Sequence, residues 1–313
     1  MHRELAWVLG VVSLAACGGD GGKSSFDAAQ VEAGAVGQEA AAQVSPYCTE
    51  KVALSSVTDL SGIWVVRVIG AQIVNAPILG EIHNQNVFYL LVTISQNGAA
   101  VAVNGHYCDR AQIGQPGAVS SVVIPDAWAH TETAVSRAGS FSLDTGGHRV
   151  LSLPAVTEII GAVLASPSDP LPTQPDGPGV IDEDNDGHPG ITVRLSGLTG
   201  GSLYAVQRQI TAIEAIAVAR DRLEGTLAFA SEQVVLASDQ ALLVSLFSQS
   251  ETTPDPVRCN SGVVMVRIRD VPMADGGAVD VGGPDHGALD GGVGSMGAFD
   301  CAWVRANEAT LFQ

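Results

Sequence analysis

The chain has 313 residues and a formal net charge of −18, with 33 Asp and Glu residues against 15 Lys and Arg residues. So acidic a surface repels phosphate backbones, and we therefore expect no nucleic-acid partner. The charge also argues against electrostatic adsorption to anionic lipid, while an apolar fraction of 46% is enough for a sizeable core.

Residues 1–16 have the composition of a secretory signal peptide. Arg3 supplies a positive charge, and Leu5–Leu14 is an apolar run too short to span a bilayer. Small residues then precede a cysteine in the sequence Leu14-Ala15-Ala16-Cys17.

This sequence resembles the lipobox of bacterial lipoproteins. The resemblance implies cleavage before Cys17 and acylation of its thiol, which would anchor the chain permanently in a membrane. Because Gly18 follows the cysteine in place of Asp, the resemblance also implies the outer membrane, on either its periplasmic or its surface face. The alternative is a secreted protein whose leader happens to end near a cysteine.

Residues 17–47 are predicted to be a flexible, acylated tether, because Gly, Ala, Ser, Gln and acidic residues predominate without a regular apolar period. Residues 48–313 are predicted to form a single β-rich domain. Within it, 166–190 is expected to be a linker and 270–297 a mobile loop, since both are rich in Gly and Asp.

Short β-branched or alternating runs predict most of this domain to be strand. Asn97-Gly98 between two apolar runs predicts a hairpin, and further turns are predicted at Arg220-Asp221 and near Ser231. The predicted strands are Gly62–Ile69, Val87–Ser95, Ala99–Cys108, Val119–Ile124, Ile191–Leu195, Leu203–Ala219, Leu223–Ala230, Gln233–Ala237, Val263–Arg269 and Phe299–Val304.

Two short helices are predicted between the strands. Pro154–Ala165 begins with proline, which suits a first helical position, and Asp239–Ser248 follows Ser238, a suitable N-cap. The predicted fold is therefore mainly β, an antiparallel barrel or sandwich with two short helices.

Gly62-Ile63-Trp64 resembles the G-x-W sequence that opens the first strand of lipocalins and related calycins. The resemblance implies a barrel whose closed end is plugged by Trp64 and covered by an arginine from the last strand. Arg267, Arg269 and Arg305 are all candidates for that arginine. It also implies a small apolar ligand at the open end. The alternative is a core tryptophan that merely opens a strand.

The chain has five cysteines, of which four remain if Cys17 is acylated. An exported chain meets an oxidising compartment, so two disulfides are expected. Three pairings are possible. We favour Cys48–Cys108 and Cys259–Cys301, because each pair flanks a segment that a local disulfide would stabilise.

Asp182, Asp184 and Asp186 alternate in an acidic run that ends at Gly187. Alternating carboxylates in a tight loop suit Ca²⁺, a hard cation that prefers six to eight oxygens. The run resembles the first half of an EF-hand loop, and equally the calcium loops of thrombospondin type 3 and FG-GAP repeats. The resemblance implies side-chain ligands from the three aspartates and the backbone carbonyl of His188.

Two departures distinguish this loop from a signalling EF-hand. Val193 occupies the position of the bidentate glutamate, and Pro189 precedes a strand where a helix is expected. A structural calcium site is therefore predicted, with a solvated acidic turn as the alternative.

The other candidate metal-binding and catalytic residues are scattered along the chain. His83, His106, His130 and His148 are not spaced as metal ligands on one element, and the possible catalytic carboxylates are Glu81, Asp109, Asp126, Glu132 and Glu158. We therefore expect a non-enzymatic envelope lipoprotein that binds a small apolar ligand or an envelope protein. A carboxylate-based hydrolase of envelope or extracellular polymer and a purely structural surface component are the alternatives.

Overall fold

The structure is a computed structural model that describes residues 53–76, 80–114, 120–197, 200–247, 251–268 and 299–313. Within these ranges the fold is mainly β, with eleven strands and three short α-helices. The predicted tether, the loop 270–297, Cys17 and Cys48 lie outside the described residues.

The elements alternate long strands with short connections. In chain order they are β1 (Gly62–Ala76), β2 (Gly80–Asn97), β3 (Ala100–Gly114), β4 (Ser120–Val123), α1 (Asp126–Ala129), β5 (Ala134–Leu143), β6 (Arg149–Ile160), β7 (Ile191–Gly197), β8 (Gly201–Ala219), β9 (Arg222–Ser238), α2 (Ala241–Phe247), β10 (Glu251–Pro254), β11 (Gly262–Arg267) and α3 (Cys301–Leu311).

Eight strands close a ring in which every neighbour is antiparallel, in the order β1-β2-β3-β5-β6-β8-β9-β11 and back to β1. They follow one another in chain order, so the ring is an up-and-down meander. β7 pairs with the start of β8, β4 pairs with β7, and β10 pairs with the end of β1. The predicted antiparallel β class is confirmed, and the closed ring is consistent with a barrel or a sandwich.

Strand alternation sends successive side chains to opposite faces of the ring. Trp64 and Val66 of β1 belong to the main buried core, together with residues from the other seven ring strands. Val65 and Leu91 face the other way and pack in a second cluster with α3, including Val304. The ring therefore has an apolar interior and one outer face covered by helix α3.

Two segments have a different type of secondary structure from the one predicted. Pro154–Ala165 was expected to be helical, but its first seven residues end strand β6, where the register shifts between Leu153 and Val156. A β-bulge at this position accommodates a proline, which has no N–H for the ladder. Phe299–Val304 was expected to be a strand, but Asp300 caps helix α3 by accepting the N–H of Trp303 at 2.8 Å.

The other predicted elements agree better with the structure. The hairpin at Asn97-Gly98 and the turn at Arg220-Asp221 join β2 to β3 and β8 to β9. Helix α2 falls within the predicted Asp239–Ser248. The turn predicted near Ser231 is wrong, because β9 runs unbroken from Arg222 to Ser238.

Both predicted disulfide pairings are also wrong. The structure joins Cys108 of β3 to Cys301 at the start of α3, and this bond excludes both Cys48–Cys108 and Cys259–Cys301. Cys259 is disulfide-bonded as well. The prediction assumed that each disulfide joins the ends of a local segment. Instead, α3 packs across the outer face of the ring, and this packing brings together cysteines 193 residues apart.

Candidate functional site

The acidic loop between β6 and β7 is organised by its own backbone. Asp182 accepts the N–H groups of Asp186 and Gly187 at 3.1 and 2.9 Å, and Asp186 accepts the N–H of His188 at 3.0 Å. Asn185 and Gly187 have positive φ angles of 56° and 88°, a conformation that Asn and Gly adopt most readily. The chain therefore turns back sharply within six residues.

This turn brings the three predicted aspartate ligands together. One carboxylate oxygen from each of Asp182, Asp184 and Asp186 lies within 4.8 Å of the other two. Glu183, the acid between them, faces away and accepts the backbone N–H of Gly161 at 3.3 Å and the hydroxyl of Thr133 at 3.5 Å. The alternate residues Asp182, Asp184 and Asp186 therefore converge, while Glu183 between them connects the loop to Gly161 and Thr133.

Asp184 is the buried member of the three, with 6% of its surface exposed. Its Oδ2 accepts the N–H of Thr192 at 3.0 Å, while its Oδ1 has no hydrogen-bond partner among the described residues. Burial raises the pKa of the Asp184 carboxyl, and repulsion from Asp186 and Asp182 adds to the effect. A cation would relieve both the desolvation and the repulsion.

Three of the four predicted positions therefore fit a hard cation. For the fourth, His188, the structure shows the ring stacked on Tyr204, with centroids 4.1 Å apart and planes 12° from parallel. Val193, at the position of an EF-hand glutamate, instead lines a neighbouring cavity. The loop therefore lacks the bidentate glutamate of an EF-hand, as the sequence indicated.

The cavity beside Val193 has a volume of about 240 Å³ and lies at the end of the ring away from Trp64. Its walls come from the ends of ring strands, from β4, β7 and β10, and from α1 and α2. Phe88 also lines a second cavity of about 50 Å³, which is lined by residues of all eight ring strands. We call the larger one the end cavity and the smaller one the inner cavity.

The lining of the end cavity combines apolar and amide side chains. Aromatic side chains include Phe88 of β2, Trp128 of α1 and Phe247 of α2. Six amides also line it: Gln72, Asn84, Asn86, Gln112, Gln207 and Gln233. The prediction that β2 begins at Val87 missed Asn84 and Asn86, although Asn84, Asn86 and Phe88 alternate as one face of a strand should.

Strand β7 connects the acidic loop to the end cavity. Ile191, Val193 and Leu195 face the cavity. Between them, Thr192 donates its N–H to Asp184 and its hydroxyl to Asp186 at 2.6 Å. The carboxylates that could hold a cation therefore also fix the strand that forms one cavity wall.

Polar side chains form part of the lining of the inner cavity, among them Tyr107, Arg137 and Glu158. Tyr107 donates its hydroxyl to Glu158 at 2.8 Å, and burial, reinforced by Glu158, raises the pKa of this phenol. Arg137 of β5 extends past β6 and donates to the hydroxyl and carbonyl of Thr211 on β8. Glu158, a candidate catalytic acid from the sequence, is thus an acceptor for a buried tyrosine.

The other candidates pair locally. Each predicted histidine has a carboxylate within 4.0 Å: His83 with Glu81, His106 with Glu132, His130 with Asp109, and His148 with Asp144. Asp126 lies in the first turn of α1. In the part of the chain that the structure describes, three potential ligands converge only at the acidic loop and where His106 lies beside the Cys108–Cys301 disulfide.

Of the three candidate arginines, Arg267 lies over Trp64 and Arg305 donates to the backbone carbonyl of Cys108, while Arg269 lies outside the described residues. Comparison of the chain with protein-family models, curated proteins and solved structures found no match. None of the helices in the described ranges is long and apolar enough to cross a membrane.

Proposed function

We propose that this protein is a cell-envelope lipoprotein whose β domain binds a small molecule in the end cavity. The observation that carries the proposal is the cavity itself, about 240 Å³ in volume and lined by aromatic, aliphatic and amide side chains. Small-molecule sites are usually concave and combine apolar walls with polar groups that fix the orientation of the ligand.

The alternatives receive less support from the same geometry. A carboxylate-based hydrolase needs two acids facing one site, and Glu232 is the one acid among the described residues that line the end cavity. A purely structural component needs a filled interior and an exposed apolar patch. The two adjoining cavities favour a binding role instead.

Calcium is proposed as a structural ion held by Asp182, Asp184 and Asp186, with the carbonyl of His188 as a further ligand. The unpartnered Oδ1 of the buried Asp184 supports this assignment. Because Thr192 joins two of these carboxylates to β7, the ion would stiffen one wall of the end cavity.

Native mass spectrometry of the full chain purified from envelope extracts, with and without a calcium chelator, tests both proposals. The expected result is a retained small molecule and one Ca²⁺, both reduced by the chelator. A chain that carries no small molecule, and takes up none from an envelope extract, would refute ligand binding.

The anchor is proposed from the lipobox. Radiolabelled palmitate is expected on the wild-type chain and absent from Cys17→Ser, and labelled protein is expected to sediment with outer membranes. Equal labelling of the two chains would refute acylation at Cys17. Sedimentation with inner membranes would refute the outer-membrane assignment alone.

A further inference from the structure

We propose that the end cavity selects an uncharged amphipathic molecule, one with an apolar body and a hydroxyl or amide group that hydrogen-bonds to Asn84. This inference rests on the proposed ligand-binding function and names the chemical class of the ligand.

The cavity lining is almost electrically neutral. No lining residue among those that the structure describes is cationic, and Glu232 is the one lining acid. Glu232 is already paired with Arg208, whose Nη1 lies 2.6 Å from its carboxylate. An ionised ligand would lose its hydration here without gaining a counter-ion, a cost that a neutral molecule avoids.

Asn84 supplies the hydrogen-bonding group that distinguishes this cavity from a purely apolar one. The residue is 8% exposed, lines the cavity, and leaves its Oδ1 without a hydrogen-bond partner among the described residues. A buried polar atom in this state costs free energy, and a ligand donor restores the missing bond. Gln207, by contrast, donates to Ser231 at 2.8 Å.

The remaining lining accounts for the apolar part of the ligand. Phe88, Trp128 and Phe247 supply three aromatic surfaces, and aliphatic residues of β7 and β9 complete the walls. A volume of about 240 Å³ lies just below the range of about 300–1,000 Å³ typical of drug-sized ligands. The occupant is therefore a compact molecule, about the size of one fused aromatic ring pair.

Four probes with the same naphthalene body test the selectivity. They are 2-naphthylmethanol, 2-methylnaphthalene, 2-naphthoate and 2-naphthylmethylammonium, titrated calorimetrically into the full chain carrying Cys17→Ser at pH 7. The alcohol is expected to bind at least about tenfold more tightly than each of the other three. Equal or tighter binding of either ion or of the hydrocarbon would overturn the selectivity, whereas no binding by any probe would refute the proposed function itself.

Asn84→Leu tests the assigned residue at nearly constant side-chain size. This variant is expected to bind the alcohol and the hydrocarbon equally, and to keep its affinity for the hydrocarbon. Asn75→Leu is the matched control, because Asn75 is an exposed residue of β1 outside the cavity lining. A preference for the alcohol that survives in Asn84→Leu would overturn the role of Asn84.

Discussion

The guanidinium of Arg267 lies 5.1 Å from the centre of the Trp64 ring, at the end of the strand ring opposite the end cavity. Arg267 also donates to the backbone carbonyls of Asp59 and Ser61, and the indole N–H of Trp64 donates to Leu60 at 2.8 Å. β11 and β1 are thus joined by side chains as well as by their backbone ladder. This contact lies where β1 and β11 pair to close the ring.

Arg267→Met is expected to lower the free energy of unfolding by about 2–4 kcal/mol, because the Asp59 and Ser61 carbonyls lose their buried donor and Trp64 loses its cation. Urea denaturation followed by tryptophan fluorescence measures the change. Arg194→Met, at an exposed position of β7, is the control and should stay within about 0.5 kcal/mol of wild type. Equal effects of the two variants would show that the contact with Trp64 contributes nothing.

Asp184→Asn is expected to weaken Ca²⁺ binding at least about tenfold, because the buried carboxylate supplies charge as well as an oxygen ligand. Calorimetric titration in chelator-treated buffer measures the affinity. Without Ca²⁺ the variant should melt no lower than wild type, since it removes a charge that burial and Asp186 disfavour. Asp176→Asn, an exposed acid outside the cluster, should bind as wild type does; unchanged affinity in Asp184→Asn would contradict the proposed site.

Non-reducing peptide mapping of the purified protein should yield one cross-linked peptide that contains Cys108 and Cys301. Cys301→Ala is expected to lower the free energy of unfolding by about 5 kcal/mol, because the bond closes a loop of 193 residues in the unfolded chain. Recovery of a Cys259–Cys301 peptide from freshly exported protein would contradict the pairing.

Glu308→Gln is expected to stabilise the protein at neutral pH. Burial, with repulsion from Asp109, raises the pKa of the Glu308 carboxyl, and the nearby Arg67 only partly offsets this. A raised carboxyl pKa means that the native state binds protons more tightly than the unfolded state. Deprotonation therefore costs stability above the folded pKa, and the cost disappears below the unfolded value of about 4.3.

Thermal melts of wild type and Glu308→Gln from pH 4 to pH 8 test this sign. The two midpoints should converge at the acidic end and separate as the pH rises. Asp176→Asn, at an exposed acid, is the control. A separation that grows on acidification would contradict the prediction.

The sequence predicted ring strands where their signal was local, but it missed β5 and the start of β6. The turn residues Asn97-Gly98 and the alternation around Thr192 need no distant partner, and both are present. The segment that begins at Pro154 was wrongly predicted as a helix. A strand accommodates this proline only at a bulge opposite β8, and the bulge arises only when the strands pair. Cys108 and Cys301 were mispaired for a related reason, since only the packing of α3 on the ring brings them together.

The same distinction applies to the candidate site. Asp182, Asp184 and Asp186 were predicted because all three lie in one loop. The end cavity was not located, because residues as distant as Asn84 and Phe247 meet only when the ring is assembled. Arg267 could be named only as one of three candidates, since strand order decides which arginine covers Trp64.

The pairing of β1 with β11 has a consequence for folding. Trp64 and Arg267 are cross-strand neighbours although about 200 residues separate them along the chain. Until β11 has been produced and docked, β1 and β9 each have an unpaired edge, and such edges invite association with other chains. We therefore expect slow acquisition of the native state, with a late step limited by closure of the ring, and a dependence on chaperones that shield sheet edges in the interval.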